Sequence, residues 1–284
     1  MRFCKFMLGA CLSFGLAIGE VAQAATIYAA GYSTDELYKI DTQLHTVTTV
    51  GAFGIDFTEG DLAFDSGGVL YGAFAGTLDQ LASVNSGTGP ATLIGPFNPS
   101  NVTDISAMSF RPTDGLLFAL DSDANKLVTI NTTTGLSSLF GTGDISGLVD
   151  IANVTGMAFD PGDADTLYMA QAGSTSLYKI QGLAGTPTAT IVGDLGLNRV
   201  TGMTFALDGS QLKLFVINST SSGSQLYSVD PSLLLPPVLV AVNGLPADLG
   251  GIAAAVPEPG ALSLLVAGVA GVVLRRARAA IRTR

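Results

Sequence analysis

Histidine and cysteine are nearly missing from this 284-residue chain, and positive charge is scarce over most of its length. The two cysteines, Cys4 and Cys11, both lie near the start. Everything downstream lacks a thiol, which excludes disulfides and cysteine-based metal sites there. His45 is the one histidine. A Ser-His-Asp triad would have to use it, and it lies in the polar stretch Asp41–Thr46, which reads as a solvent-facing turn between two strands. Transition-metal sites and nucleophilic triads are therefore nearly excluded, and haem or flavin has no recognisable handle. Residues 25–255 carry six basic and 21 acidic side chains, a formal charge of −15. Phosphate backbones and anionic lipid surfaces both need a basic partner, so neither nucleic acid nor an anionic bilayer suits this body.

Long apolar runs occur only at the two ends. Arg2 and Lys5 precede the run Phe6–Ile18, and Ala22-Gln23-Ala24 follows as a small-x-small site. That order predicts a secretory signal peptide over residues 1–24, cut between Ala24 and Ala25. Leu8-Gly9-Ala10-Cys11 resembles a lipoprotein box, but the apolar stretch ahead of it, Phe6–Ala10, is too short. Both cysteines leave with the signal.

At the other end stand Val256, Pro257, Glu258 and Pro259, then Gly260, then the apolar Ala261–Leu274, then Arg275, Arg276 and Arg278. Both prolines fix φ and lack an amide proton, and Pro259 holds Glu258 extended, so no helix crosses this motif. Fourteen residues at about 1.5 Å each make roughly 21 Å of helix. That is short of the about 20 residues a comfortable span needs, so the bilayer thins or the arginines snorkel. The arginines would stop the span on the cytoplasmic side. A plain anchor is the alternative reading. The Val-Pro-Glu-Pro motif, apolar helix and basic stop together resemble the PEP-CTERM sorting tail of exported bacterial proteins. The resemblance covers residues 256–284. It implies an exosortase, a membrane cysteine protease, that cuts near the motif and releases or transfers the body. It also implies a bacterial host, in which the Asn-x-Thr sequons at Asn101, Asn131, Asn153 and Asn218 signal no N-glycosylation.

Between the ends, a repeat organises residues 25–255. A strand of the form Leu-x-x-aliphatic-polar begins at Leu37, Leu81, Leu127, Leu177 and Leu226, at spacings of 44, 46, 50 and 49 residues. A second unit ends in Phe64, Phe110, Phe159 and Phe205, at spacings of 46, 49 and 46. A period of this length with four strand-like segments predicts propeller blades. In the fourth unit the strands are Thr155–Phe159, Thr166–Ala170, Ser176–Ile180 and Ala189–Val192. Tyr178 and Ile180 share one face and Leu177 the other, and both faces should be partly buried, because each blade packs between two others. Gly250–Ala254 matches a first strand with no second after it, and Thr26–Ala30 matches a second strand with no first before it. The N-terminal strands should therefore complete the last blade and remove an open edge. Five blades follow, or six if Ser222–Gly244 hides another. The body loosely resembles repeat propellers with Leu-Tyr-x-Ile-Asp, Thr-Gly and Phe-Asp-Pro blades, found in secreted proteins of unknown function.

Carboxylates remain as candidate chemistry. Asp121, Asp123 and Asn125 have the spacing that opens a calcium loop, but Lys126 replaces its glycine and no glutamate follows at position twelve. Asp160, Asp163 and Asp165 cluster in a turn, where Asp is favoured for turn geometry alone. Asp61, Asp104, Asp150 or Asn153, and Asp248 precede first strands and would ring one channel mouth, as in the calcium-binding sugar-lactone hydrolases, which are also propellers. The expectation is an all-β, exported, non-enzymatic module of the cell envelope or extracellular matrix, holding a glycan or protein ligand and needing no cofactor. Signal peptidase and exosortase are its expected processing partners, with transient anchorage in the inner membrane. The alternatives are a calcium-dependent, lactonase-like hydrolase and a passive surface-layer protein.

Overall fold

The computed structural model describes residues 25–255, apart from 59, 75–78, 98–101, 103, 123–124, 149–153, 210 and 233–235. The expected signal peptide, Val256–Pro259, the span Ala261–Leu274 and the arginines after it lie outside the described residues. Among the described residues there is no helix.

Twenty strands form five four-stranded antiparallel sheets. Blade 1 contains β1 (Thr26–Gly31), β2 (Glu36–Asp41) and β3 (Thr46–Ala52). Blade 2 is β4 (Leu62–Phe64), β5 (Leu70–Phe74), β6 (Gln80–Val84) and β7 (Ala91–Pro96). Blade 3 is β8 (Ile105–Phe110), β9 (Leu117–Asp121), β10 (Lys126–Ile130) and β11 (Ser137–Leu139). Blade 4 is β12 (Val154–Asp160), β13 (Asp163–Gln171), β14 (Ser176–Gln181) and β15 (Thr188–Asp194). Blade 5 is β16 (Val200–Asp208), β17 (Gln211–Thr220), β18 (Gly223–Val229) and β19 (Val238–Val240). The last strand, β20 (Leu249–Ala253), pairs with β1 and supplies the innermost strand of blade 1. The fold is thus a five-bladed propeller closed by its own two ends. Residues 222–244 hold the outer strands of blade 5, not a sixth blade.

Alternation decides where the core lies. Along β13, Leu167 and Met169 join the cluster between blades 3 and 4, whereas Tyr168 and Ala170 join that between blades 4 and 5. There are five such clusters, one at each seam. Each buried aliphatic or aromatic side chain there contributes about 1.5–3 kcal/mol, so the strands read as apolar on both faces. Tyr178 and Ile180 lie on one seam and Leu177 on the next, as their alternation predicts.

Side chains on the innermost strands also bolt the seams. Ser109 Oγ accepts the Phe159 amide at 3.0 Å, and Thr204 Oγ1 accepts that of Ala254 at 3.1 Å. Thr201 donates to the Leu249 carbonyl at 2.7 Å, and Thr155 donates to that of Val200. The inner strands lie close enough that a Cβ on Gly156 would come within 2.7 Å of Met203 Cγ, and one on Gly202 within 2.8 Å of the Ile252 nitrogen.

Candidate functional site

The five innermost strands end around a cavity of about 280 Å³ at one mouth of the central channel. Register identifies its lining. Phe64, Phe110, Phe159 and Phe205 pair with Leu70, Leu117, Leu167 and Leu214. Two residues earlier in these strands stand Leu62, Met108, Met157 and Met203, and Ile252 is their counterpart in β20. All five are at most 2% exposed and line the cavity away from the turns of its rim. Phe64, Phe110, Phe159 and Phe205 line it nearer the opening, where blade 1 supplies Ala254. Turns after the inner strands make the rim, including Asp65, Ser66, Arg111 and Pro161.

Several polar groups at this site are engaged. The Ser109 and Thr204 hydroxyls accept the seam bonds already described. Arg111 Nε donates to Asp114 Oδ1 at 3.0 Å while its Nη2 donates to Oδ2, and the guanidinium carbon sits 4.8 Å from the Phe118 ring centroid. The hydrogen bond from Arg111 holds the Asp114 carboxyl below its ordinary pKa. Asp65 Oδ1 accepts the Val69 amide at 2.7 Å.

Asp61 is completely buried. Its Oδ1 accepts the Leu62 amide at 2.8 Å, its Oδ2 accepts the Met108 amide at 2.9 Å, and the Ile252 amide also donates to it. Burial pushes its pKa well above the ordinary value, against these three donors, which favour the anion. It takes the position that Ala107, Gly156, Gly202 and Gly251 hold in the other blades. At Gly156, Gly202 and Gly251 an added Cβ would come within 2.8 Å of the neighbouring blade, whereas the Asp61 carboxylate bonds the strands on both sides.

The expected carboxylate ring comes out differently. Asp104 and Asp248 share a register position, each giving its carbonyl to the residue after a second strand, Ser122 and Tyr32 respectively. Asp61 lies three residues further along its own inner strand and is buried at a seam. Asp150 and Asn153 lie outside the described residues. Asp104 also accepts the Ser122 hydroxyl.

Asp160, Asp163 and Asp165 sit at the β12–β13 hairpin, with their carboxylates bonded locally. Asp160 accepts the Gly162 amide, and Asp163 accepts the Asp165 amide and the Thr166 hydroxyl. Asp165 takes the Gly182 and Leu183 amides. Asp121 ends β9, fully buried, Asn125 adopts φ 60°, and Asp123 lies outside the described residues. Among the described residues, no three His, Cys, Asp or Glu side chains come together as a metal site. His45 is exposed in the β2–β3 turn, as its surroundings predict. Its Nδ1 lies 3.1 Å from the Ala241 carbonyl and its own carbonyl accepts the Asn243 amide, so it also ties blade 5 to blade 1.

Cleavage after Ala24 would begin the chain at Ala25, which is 3% exposed and whose carbonyl accepts both the amide and the hydroxyl of Thr42. Ala25 and Ala255 line one cleft, so the two ends of the body emerge side by side. That cleft shares Phe64 with the channel-mouth cavity.

A family described as a repeat of unknown function (DUF6923) matches residues 95–234. No curated protein sequence matches the chain. Among solved structures, a chain of a nidogen/laminin complex aligns with a TM-score of 0.54 at 13% identity, over 82% of this chain and 99% of that one. A structural genomics protein of unknown function from Bacteroides thetaiotaomicron VPI-5482 aligns with a TM-score of 0.52 at 15% identity, over 84% and 67%. At these identities the likeness establishes the fold alone. Regucalcin, a calcium-binding protein from Agrobacterium tumefaciens str. C58, aligns more loosely, with a TM-score of 0.44 at 16% identity over 68% and 66%.

Proposed function

We propose that this chain is an exported binding module of the cell envelope or extracellular matrix, delivered by a signal peptide and sorted through its Pro-Glu-Pro tail. The observation that carries the binding half is the channel-mouth cavity, to which all five blades contribute. A concave, mostly apolar site with a few polar groups at its edge is the usual form of a ligand pocket. The nidogen/laminin likeness supports only a fold that is at home in a binding assembly. The sorting half is supported by the order of motif, apolar run and arginines, and by the body ending at Ala255 with every strand of the ring complete.

Deleting Val256–Pro259 and fractionating cells tests the sorting half. The deleted chain should stay at the inner membrane with its tail intact, and unchanged processing and location would refute it. Mass spectrometry of the mature termini should find Ala25 first and a C-terminus near Pro257. For the binding half, the body (residues 25–255) is screened by thermal shift against small molecules, with Met157→Gln, checked to keep the circular dichroism of the parent, as the control. A ligand should stabilise the body and lose its effect in the variant. Stabilisation by no ligand, or equal stabilisation of both proteins, would count against the cavity.

A further inference from the structure

We infer that the channel-mouth cavity receives one uncharged aromatic or aliphatic group, at most the size of two fused rings, in the room that Ala254 leaves where the other blades place a phenylalanine. The inference rests on reading the body as a binding module and specifies the chemistry of that site. It replaces the expectation of a glycan.

Size sets the first limit. A cavity of roughly 150 Å³ holds benzene, and drug-sized ligands occupy pockets from about 300 Å³ upward. At about 280 Å³ this cavity suits a group between those limits.

The second limit is polarity. The deepest side chains are Leu62, Met108, Met157, Met203 and Ile252. Thioethers are polarisable and unbranched, so three of them adapt to an irregular apolar guest and make favourable contacts with ring edges. Between these and the opening stand Ala63, Ser109, Ala158, Thr204 and Ala253. Only two of those five are polar, and both hydroxyls already accept a neighbouring blade's amide. Each has one proton left to donate. A sugar brings several hydroxyls, and each one buried without a partner costs about 1–3 kcal/mol. A charged ligand fares no better, because an ion of either sign loses its hydration among apolar side chains, and the Arg111 guanidinium at the rim is committed to Asp114 in a two-pronged pair.

Asymmetry completes the argument. Four blades place a phenylalanine near the opening, and the fifth places Ala254. Ala254 itself is packed with Ala25 and Ala206, so between Phe205 and Phe64 the wall is smaller by one ring and leaves room for a planar group beside it. The sequence carries the signal in a single column, Phe, Phe, Phe, Phe, Ala, although only ring closure reveals that Ala254 belongs to it.

The test titrates the body with indole, glucose and indole-3-acetate, by calorimetry and thermal shift. Indole should bind and raise the melting temperature, while glucose and indole-3-acetate should bind at least tenfold more weakly or not at all. Ala254→Phe should weaken indole binding at least tenfold and keep the circular dichroism of the parent. Met157→Gln, which keeps the side-chain length, should weaken it too and serves if the first variant does not fold. Glucose or indole-3-acetate binding as tightly as indole, with sensitivity to Met157→Gln, would overturn the ligand class and leave the binding module standing. Indole binding that neither variant alters would overturn the site. If none of the three probes binds, the assignment of an apolar aromatic ligand is overturned as well.

Discussion

Asp61 Oδ2 accepts the Met108 amide at 2.9 Å across the seam between blades 2 and 3. The same carboxylate takes the Leu62 amide of its own strand and the Ile252 amide of blade 1. One side chain thus joins three blades at the channel, in a position that is alanine or glycine elsewhere. Asp61→Ala would match the other blades in sequence and still destabilise the ring, because three donors would be left buried. Each unsatisfied donor costs about 1–3 kcal/mol. We expect a net loss of about 2–5 kcal/mol in urea denaturation.

Protonation of the same group gives a second prediction. Burial raises the Asp61 pKa in the folded state above its unfolded value. The folded state therefore holds this proton more tightly, and the associated stability is fully present below the unfolded carboxylate pKa of about 3.9. It is lost as the pH rises from there through the raised folded pKa. Asp61→Asn removes the titration. Stability curves of parent and variant should diverge over that rise, with the parent losing ground. Parallel curves would mean that the three amide donors balance burial, and a parent that gains ground would mean that they outweigh it.

These two predictions concern a residue whose role the sequence hides. Aligning Phe64 with the later phenylalanines places Asp61 in a column with Ala107, Gly156 and Gly202. Its proximity to the strand start instead suggests a ring with Asp104 and Asp248. Only the close approach of neighbouring strands explains why that column is small. The third strands were legible because Leu and then Ile or Val recur at fixed positions with a polar residue after them, and closure was legible because Thr26–Ala30 repeats Thr166–Ala170. The outer strands were harder to read. Gly51, Gly95 and Gly193 each follow a β-bulge in β3, β7 and β15, within a shared Thr-x-aliphatic-Gly pattern. That pattern is absent from the three-residue strands β11 and β19. The cavity was not legible at all, since no single repeat contains it and it exists only where five strand ends meet.

His45 carries a third prediction. It adopts φ 56°, in a turn position where Gly89 and Gly135 stand in the next two blades. The turns match in detail, since Asp41, Asn85 and Asn131 each accept two amides from the turn that follows. A left-handed conformation costs a non-glycine residue about 1–2 kcal/mol. His45→Gly relieves that strain and loses the contact with the Ala241 carbonyl, so melting should move by no more than a few degrees. His45→Val adds a β-branch to the strained position and loses the contact as well. It should destabilise by about 1–2 kcal/mol relative to His45→Gly, and equal stability of the two variants would show that the turn has relaxed.

Calcium supplies a fourth. At the β12–β13 hairpin each of Asp160, Asp163 and Asp165 already accepts bonds from the hairpin or from the Gly182–Leu183 turn. A cation would have to displace amide donors that fix the local backbone. Adding millimolar calcium, or removing it with a chelator, should leave the melting temperature of the body unchanged. A calcium-dependent rise that Asp163→Ala abolishes would restore the hairpin as a site. A rise that persists in that variant would point to carboxylates elsewhere.

The closure of the ring makes the last prediction. Among the described residues β20 is the last strand in chain order, and it pairs with β1, the first. Leu249 and Ile252 lie in the seam between blades 5 and 1 with Ile27 and Ile40, and Ala253 reaches the seam between blades 1 and 2. A chain ending at Asp248 loses these contacts, the bond from Thr201 to the Leu249 carbonyl, and the bonds that the Ala254 and Ile252 amides donate to Thr204 and Asp61. It also exposes β1 as an unpaired edge. Substituting Ile252→Ala alone, in the complete chain, should cost about 2–5 kcal/mol for the cavity it leaves. The truncated chain should lose more than that, unfold less cooperatively, and associate with rising concentration in light scattering. Adding a synthetic peptide of residues 249–255 should partly restore a monomeric, cooperative protein, because the strand's contacts come from pairing and packing rather than from its covalent link to blade 5. A truncated chain that remains monomeric and as stable as the parent would mean that the other four seams hold the ring without its clasp.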